Sequence, residues 1–245
     1  MANLTGTDEA DVLNGTSLAD WIRGLDGADW LSGAAGDDSI DGDDDDDQIY
    51  GGAGNDQLAG GKGEDRLYGE DGNDVMTDES GNDAMYGGNG NDNMVTGEGN
   101  DIAEGGAGND IMDGGTGNDG MKGGSGNDGM TGGEGDDSLI AEAGRDTLSG
   151  GEGNDLVDGG KGNDRMTGGE GADRFVFSSG SDRITDFESG DDDLDLSALV
   201  SVSDYDDAMA VASQSGSSVV FTFAEGTLTL ENTQLSNLQQ DDFMF

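Results

Sequence analysis

The sequence predicts an all-β fold: a parallel β-roll, a two-sheet β-solenoid, closed by a C-terminal β-rich cap. Three observations predict it. Asp recurs at every ninth position from Asp11 to Asp173, nineteen times without an insertion. An apolar residue stands two positions after each, from Leu13 and Ile22 through Met76 to Phe175, with Ala103 the one small member. From Gly54 onward, Gly stands two positions before every one of these Asp residues.

Each element of the roll follows from one part of the repeat. Six residues make a turn whose unusual dihedrals Gly reaches without steric cost. Three residues make a short strand with the apolar residue facing inward and its neighbours outward, by the two-residue period of a strand. Two such units complete a coil of eighteen residues, so odd repeats stack into one parallel sheet and even repeats into the other. At roughly 4.8 Å per coil, the roll is expected to be about 45 Å long. The chain divides into a lead (residues 1–5), the roll (6–176) and a C-terminal cap (177–245).

Composition alone points the other way. Asp and Glu number 56 against 9 Lys and Arg, giving a net charge of −47, and hydrophobic residues reach only 31%. A chain so charged and so poor in apolar area is ordinarily disordered; the regular repeat overrides that expectation. There is no His, Cys or Pro. Ser-His-Asp and Cys-His nucleophile systems, His-ligated zinc, disulfides and Fe–S clusters are therefore excluded. Any metal site must be built from oxygen, which suits hard cations. The acidity argues against a nucleic-acid partner. The N-terminus has neither a basic region nor an apolar run, so it does not read as a Sec-type signal peptide, and no stretch approaches a transmembrane span.

Stacking brings each ladder Asp about 4.8 Å from the Asp one coil away, a repulsion of about 1 kcal/mol per pair even in water. A cation between them reverses the sign.

Runs such as Gly51-Gly52-Ala53-Gly54-Asn55-Asp56-Gln57-Leu58-Ala59 fit the pattern G-G-x-G-x-D-x-U-x, and ten of the nineteen repeats keep the full G-G-x-G. The pattern resembles the RTX calcium-binding repeats over residues 6–176. That resemblance implies a right-handed roll with Ca²⁺ between the turns of repeats n and n+2. The implied ligands are the carbonyls of the second and fourth positions of one turn, those of the first and third positions of the next, and both Asp side chains.

Carried onto this chain, Gly106, Gly108 and Asp110 join Gly123, Ser125 and Asp128; Gly115, Gly117 and Asp119 join Gly132, Glu134 and Asp137; Gly151, Gly153 and Asp155 join Gly168, Glu170 and Asp173. By the same rule Gly52, Gly54, Asp56, Gly69, Asp71, Asp74, Gly61, Gly63, Asp65, Asp83, Gly87, Asn89, Asp92, Gly160, Gly162 and Asp164 are implied ligands, with Asp29, Asp38, Asp47, Asp101 and Asp146. Nineteen repeats, each paired with the repeat two further on, leave at most seventeen such positions.

Some turns depart from the pattern. Asp78-Glu79-Ser80, Thr96-Gly97-Glu98 and Ala141-Glu142-Ala143 lack the leading Gly pair, and Asp43 to Asp47 fill a whole turn. The first two repeats lack the fourth-position Gly and read as a metal-poor first coil. At a dissociation constant of roughly 10⁻⁴ M, 1 mM Ca²⁺ contributes about 1.4 kcal/mol per site. Summed over the stack, that rivals the whole net stability of an ordinary domain, about 5–15 kcal/mol. The expectation is a chain unfolded at cytosolic calcium and folded outside the cell.

After Val176 the composition shifts. Asp186-Phe187-Glu188-Ser189-Gly190-Asp191 leading into Leu194-Asp195-Leu196-Ser197 resembles the closing turn after RTX repeats in serralysin-type proteases and alginate epimerases. A short helix is expected near 204–214, and a hairpin from Val219–Phe223 and Thr227–Leu230 around Glu225-Gly226. The terminal Asp241-Asp242-Phe243-Met244-Phe245 resembles an uncleaved type I secretion signal, which implies a secretion apparatus as partner and an extracellular or cell-surface location. The same segment is expected to cap open sheet ends.

Met76, Met85, Met94, Met112, Met121, Met130 and Met166 fall at inward positions as adaptable core filler. Tyr50, Tyr68 and Tyr86 are eighteen residues apart at the outward ninth position, with Trp30 one coil earlier; they read as a stacked ladder or as a platform for sugar rings. The leading functional expectation is a non-enzymatic, secreted calcium-binding protein. The alternatives are a polysaccharide-binding or adhesion module with a glycan or cell-surface partner, and the secretion module of a larger protein.

Overall fold

The computed structural model describes residues Met1–Phe245. It is a parallel β-roll made of two ladders of twelve parallel strands each. One ladder begins with Asn3–Thr5, Trp21–Asp26 and Ser39–Asp44; the other begins with Val12–Asn14, Trp30–Ala35 and Gln48–Ala53. The register is eighteen residues throughout the repeats, as in Leu31↔Ile49 and Met112↔Met130.

Most strands are longer than the three residues the repeat suggests. Gln57–Lys62, for example, runs on through Gly60 and Gly61 into the turn. The leading Gly pair thus still takes part in coil-to-coil pairing before the chain bends. Gly124 and Gly126 show what the bend requires, with φ of 107° and 139°. A Cβ on either would run into the carbonyl of Gly106 or Gly108 on the coil below. Glu70 and Glu142 occupy the same position as Gly124 with φ of 75° and 72°, so non-Gly residues do reach the left-handed region here, at a cost.

The core is one inward residue per repeat. Ile22, Ile40, Leu58, Met76, Met94, Met112, Met130, Leu148 and Met166 stack on one side; Leu31, Ile49, Leu67, Met85, Ala103, Met121, Leu139, Val157 and Phe175 stack on the other. All are buried, including the seven Met residues. Met suits a column whose facing partner changes at every coil.

The roll continues beyond Val176. Ser179–Ile184 extends the first ladder and Asp193–Asp195 the second. The cap then closes both. Gly226–Leu230 pairs parallel with Gly180–Ile184 and antiparallel with Ser218–Thr222, which in turn pairs with Ala212–Ser215. Phe243–Met244 lies parallel to Leu194–Asp195 at the end of the other sheet. The helix is Tyr205–Ala210, capped by Asp204, whose side chain accepts the Asp207 N–H at 2.9 Å. Phe177, Phe221, Phe223, Leu228 and Leu230 fill the space between. No helix is long and apolar enough to cross a membrane.

Candidate metal centre

The repeat places one carboxylate per turn, and the turn fixes both of its oxygens. The N–H of Asp110 donates to Oδ1 of Asp128 at 2.9 Å, and Asp128 in turn donates to Asp146 at 2.8 Å. The same bond joins each ladder Asp to the one eighteen residues on, from Asp11 to Asp29 through to Asp164 and Asp182. One oxygen of every rung from Asp29 to Asp182 is therefore held by the coil below.

The second oxygen has no such partner. Oδ2 of every ladder Asp from Asp29 to Asp164, and of Asp78, is buried and accepts no hydrogen bond. A buried carboxylate left this way is costly unless a cation neutralises it. The main chain supplies further oxygen at the same place. Gly106 O and Gly108 O face the next coil, against the Cα atoms of Gly124 and Gly126. Gly123 O faces back; a Cβ on Gly105 would lie 2.8 Å from it and 2.5 Å from Asp110 Oδ2. Ser125 O also faces back and accepts the Gly108 N–H at 2.8 Å. These oxygens line the gap between the two coils. Carbonyls plus carboxylates without nitrogen or sulfur fit a hard divalent cation.

The same arrangement recurs. Gly115, Gly117 and Asp119 meet Gly132, Glu134 and Asp137, and Gly151, Gly153 and Asp155 meet Gly168, Glu170 and Asp173. Gly54, Asp56, Gly69 and Asp71 come together in like manner, as do Gly72, Gly87 and Asn89. The Gly160 carbonyl accepts the Ser178 hydroxyl at 2.7 Å as well.

The ends of the ladder are satisfied from within. Thr7 donates its N–H to Asp11 Oδ2 at 2.6 Å and its hydroxyl at 3.0 Å; Thr16 does the same for Asp20 at 2.6 and 2.7 Å. Desolvation works against the Asp20 carboxylate, but hydrogen bonds from Ala2, Thr16 and the N-terminus hold it at about 2. At the other end Asp192 accepts Asp173 N–H at 3.0 Å and Glu188 N–H at 2.8 Å.

Between the ends, burial pushes the carboxyls up. The backbone hydrogen bond from the preceding coil offsets part of the rise, and neighbouring Asp residues add to it. Asp38 and Asp56 reach about 6, Asp47 and Asp137 about 7.

Three ladder features were not read from the sequence. Asp182 falls nine residues after Asp173 and two before Ile184, so the period itself could have found it. Asp192 is displaced by one residue and has no such signal. The third is an outer ladder: Asn73 N–H donates to Asn55 Oδ1 at 2.9 Å, Asn91 to Asn73 at 2.8 Å and Asn109 to Asn91 at 2.7 Å. The recurring Asn before Asp was its trace.

A two-sheet parallel roll whose gaps between coils are lined by buried carboxylates and carbonyls is a calcium-binding β-roll module. The chain belongs to the RTX calcium-binding nonapeptide repeat family, whose profile matches overlapping segments from 5–40 to 149–184.

Among solved structures it is similar to the extracellular lipase LipA of Serratia marcescens (18% identity, TM-score 0.43, 92% of this chain and 42% of the lipase). It is also similar to the AlgE6R2 subunit of the Azotobacter vinelandii mannuronan C5-epimerase (34%, 0.40, 50% of this chain and 90% of the subunit). The AlgE6R3 subunit of the same enzyme matches at 28% identity with a TM-score of 0.34, over 60% of this chain and 80% of the subunit. The chain thus spans less than half the length of the lipase. No curated protein sequence matches it.

Proposed function

We propose that the chain is a secreted, non-catalytic calcium-operated β-roll, unfolded at cytosolic calcium and folded outside the cell. The observation that carries this reading is the run of buried, unpartnered Oδ2 atoms from Asp29 to Asp164. Without a cation each is an uncompensated buried carboxylate, and the stack multiplies that cost along the whole rod. With millimolar Ca²⁺ each becomes a ligand and the sign reverses. The first coil, where Thr7 and Thr16 satisfy the carboxylates, is the metal-poor end.

The C-terminus supports secretion of an unfolded chain. Asp242 is buried and accepts from Ser189 Oγ at 2.7 Å, Gly190 N at 2.9 Å and Gln239 N at 2.8 Å. Phe243 packs against Tyr205 and Phe221. A secretion apparatus reading this tail as a linear signal meets it only before the cap forms.

Circular dichroism of the chain in about 1 mM Ca²⁺, roughly where weak oxygen sites fill, and after chelation with EGTA tests the reading. Loss of the strand signal on chelation and its return with calcium are expected. A strand signal indifferent to EGTA overturns the proposal.

A further inference from the structure

The turn Asp78–Asp83 breaks the repeat in a way no other turn does. Its first position, Gly in most repeats and Thr or Ala at 96 and 141, is here an acid. The peptide after Asp78 is reversed. Gly60 O faces back toward Gly42, where a Cβ would meet it at 2.6 Å, whereas Asp78 O faces forward, 2.9 Å from a Cβ on Gly97. The back-facing carbonyl that the other turns offer is therefore missing. Gly61 O, one coil below, is occupied as well, accepting the N–H groups of both Glu79 and Ser80 at 3.1 and 3.2 Å.

The Asp78 side chain fills the place of the lost carbonyl. Its Oδ1 accepts Glu79 N–H at 2.8 Å and Gly61 N–H at 3.1 Å, which fixes its direction. Its Oδ2 is buried without a partner and faces Gly60, beside Asp65 Oδ2, which a Cβ on Gly60 would meet at 2.7 Å. Asp83 completes the group: one carboxylate oxygen from each of Asp65, Asp78 and Asp83 lies within 4.8 Å of the other two. All three residues are at least nine-tenths buried, and all three Oδ2 atoms lack a hydrogen-bond donor. Three unpartnered carboxylates aimed at one point are a ligand set.

We propose that Asp65, Asp78 and Asp83 form a three-carboxylate cation site, distinct from the two-carboxylate positions along the rest of the roll. It takes hard cations of high charge, trivalent lanthanides ahead of Ca²⁺. Ligand charge count tunes the affinity of oxygen sites. The attraction of a third carboxylate grows with the charge of the ion, so the gain is larger for a trivalent than for a divalent cation. The inference rests on the calcium reading of the roll but assigns Asp78 a ligand role that the repeat pattern gives to a main-chain carbonyl.

Titration of the metal-free full chain with Eu³⁺, followed by its directly excited luminescence and competed with Ca²⁺, tests it. One equivalent of Eu³⁺ is expected to resist calcium at least tenfold better than the rest. Asp78→Asn should remove that class while the circular dichroism in saturating calcium stays that of the parent. If Asp78→Asn does not fold, Asp78→Gly, which restores the repeat consensus, carries the comparison. A tight class that survives in the folded variant, or its absence from the parent, overturns the proposal. A parent chain whose fold ignores calcium altogether defeats the calcium reading instead.

Discussion

The N–H of Asp119 donates to Oδ1 of Asp137 at 2.8 Å, while Asp137 Oδ2 stays buried and unpartnered. One carboxylate thus divides its labour between the coil below and the space ahead of it. The structural and the metal-binding halves of the rung are separable by mutation.

Asp137→Asn keeps an acceptor for Asp119 and deletes the charge; Asp137→Ala deletes both. The Asn variant should lose calcium stoichiometry at the gap ahead of the rung and fold at higher calcium. The Ala variant should cost about 1–3 kcal/mol more, the penalty of an orphaned buried N–H. Calorimetric calcium titration and denaturant melts in saturating calcium separate the two effects. Equal behaviour of Asn and Ala would contradict the division.

The raised carboxyls give a pH dependence of definite sign. In the metal-free chain, groups lifted to about 6 at Asp38 and about 7 at Asp47 and Asp137 bind protons more tightly folded than unfolded. Their contribution to stability is full below the ordinary carboxylate range and is lost as pH rises through 6 to 7. Calcium-free protein should therefore gain strand signal on acidification from pH 8 to pH 4. With calcium present, protons compete with the ion, and the calcium midpoint should rise as pH falls. A metal-free chain equally unfolded across this range would count against the buried ladder.

Glu70 sits at φ 75° between Gly52 and Gly88 on neighbouring coils. Glu70→Gly relieves a left-handed non-Gly residue and should add about 0.5–1 kcal/mol, after allowing for the greater freedom of Gly in the unfolded chain. A lower calcium midpoint for folding is the expected readout.

Tyr68 stacks on Tyr50 at 4.8 Å and on Tyr86 at 5.0 Å, with interplanar angles of 6° and 8°. Both of its faces are covered by neighbouring rings, so it offers sugar only an edge. Tyr68→Ser should cost about 1–3 kcal/mol, two aromatic contacts at once, in a thermal melt. Glycan retention lost without any loss of stability would instead favour a platform.

The roll and its carboxylate ladder were legible because a period of nine places chemistry and geometry on the same residues: Asp at the rung, Gly at the bend, an apolar residue inside. What escaped lies where the period breaks. Asp192 joins the ladder after a one-residue slip that no periodic count follows. Asp78 looked like the loss of a Gly pair, because its carboxylate replaces a main-chain oxygen and main-chain oxygens carry no letter. The Tyr residues could be placed on one face, but whether their own rings cover that face depends on a stacking distance.

The cap leaves the length of this protein free. Gly226–Leu230 seats only on the sheet that ends in Gly180–Ile184, and Phe243–Met244 only on the one that ends in Leu194–Asp195. Removing eighteen residues from the middle returns each sheet to its own lid. Removing nine does the same, because both seats follow the last repeat and move with the lid. Such a rod can be cut or extended one repeat at a time, like a stack of plates whose cover fits only the topmost plate.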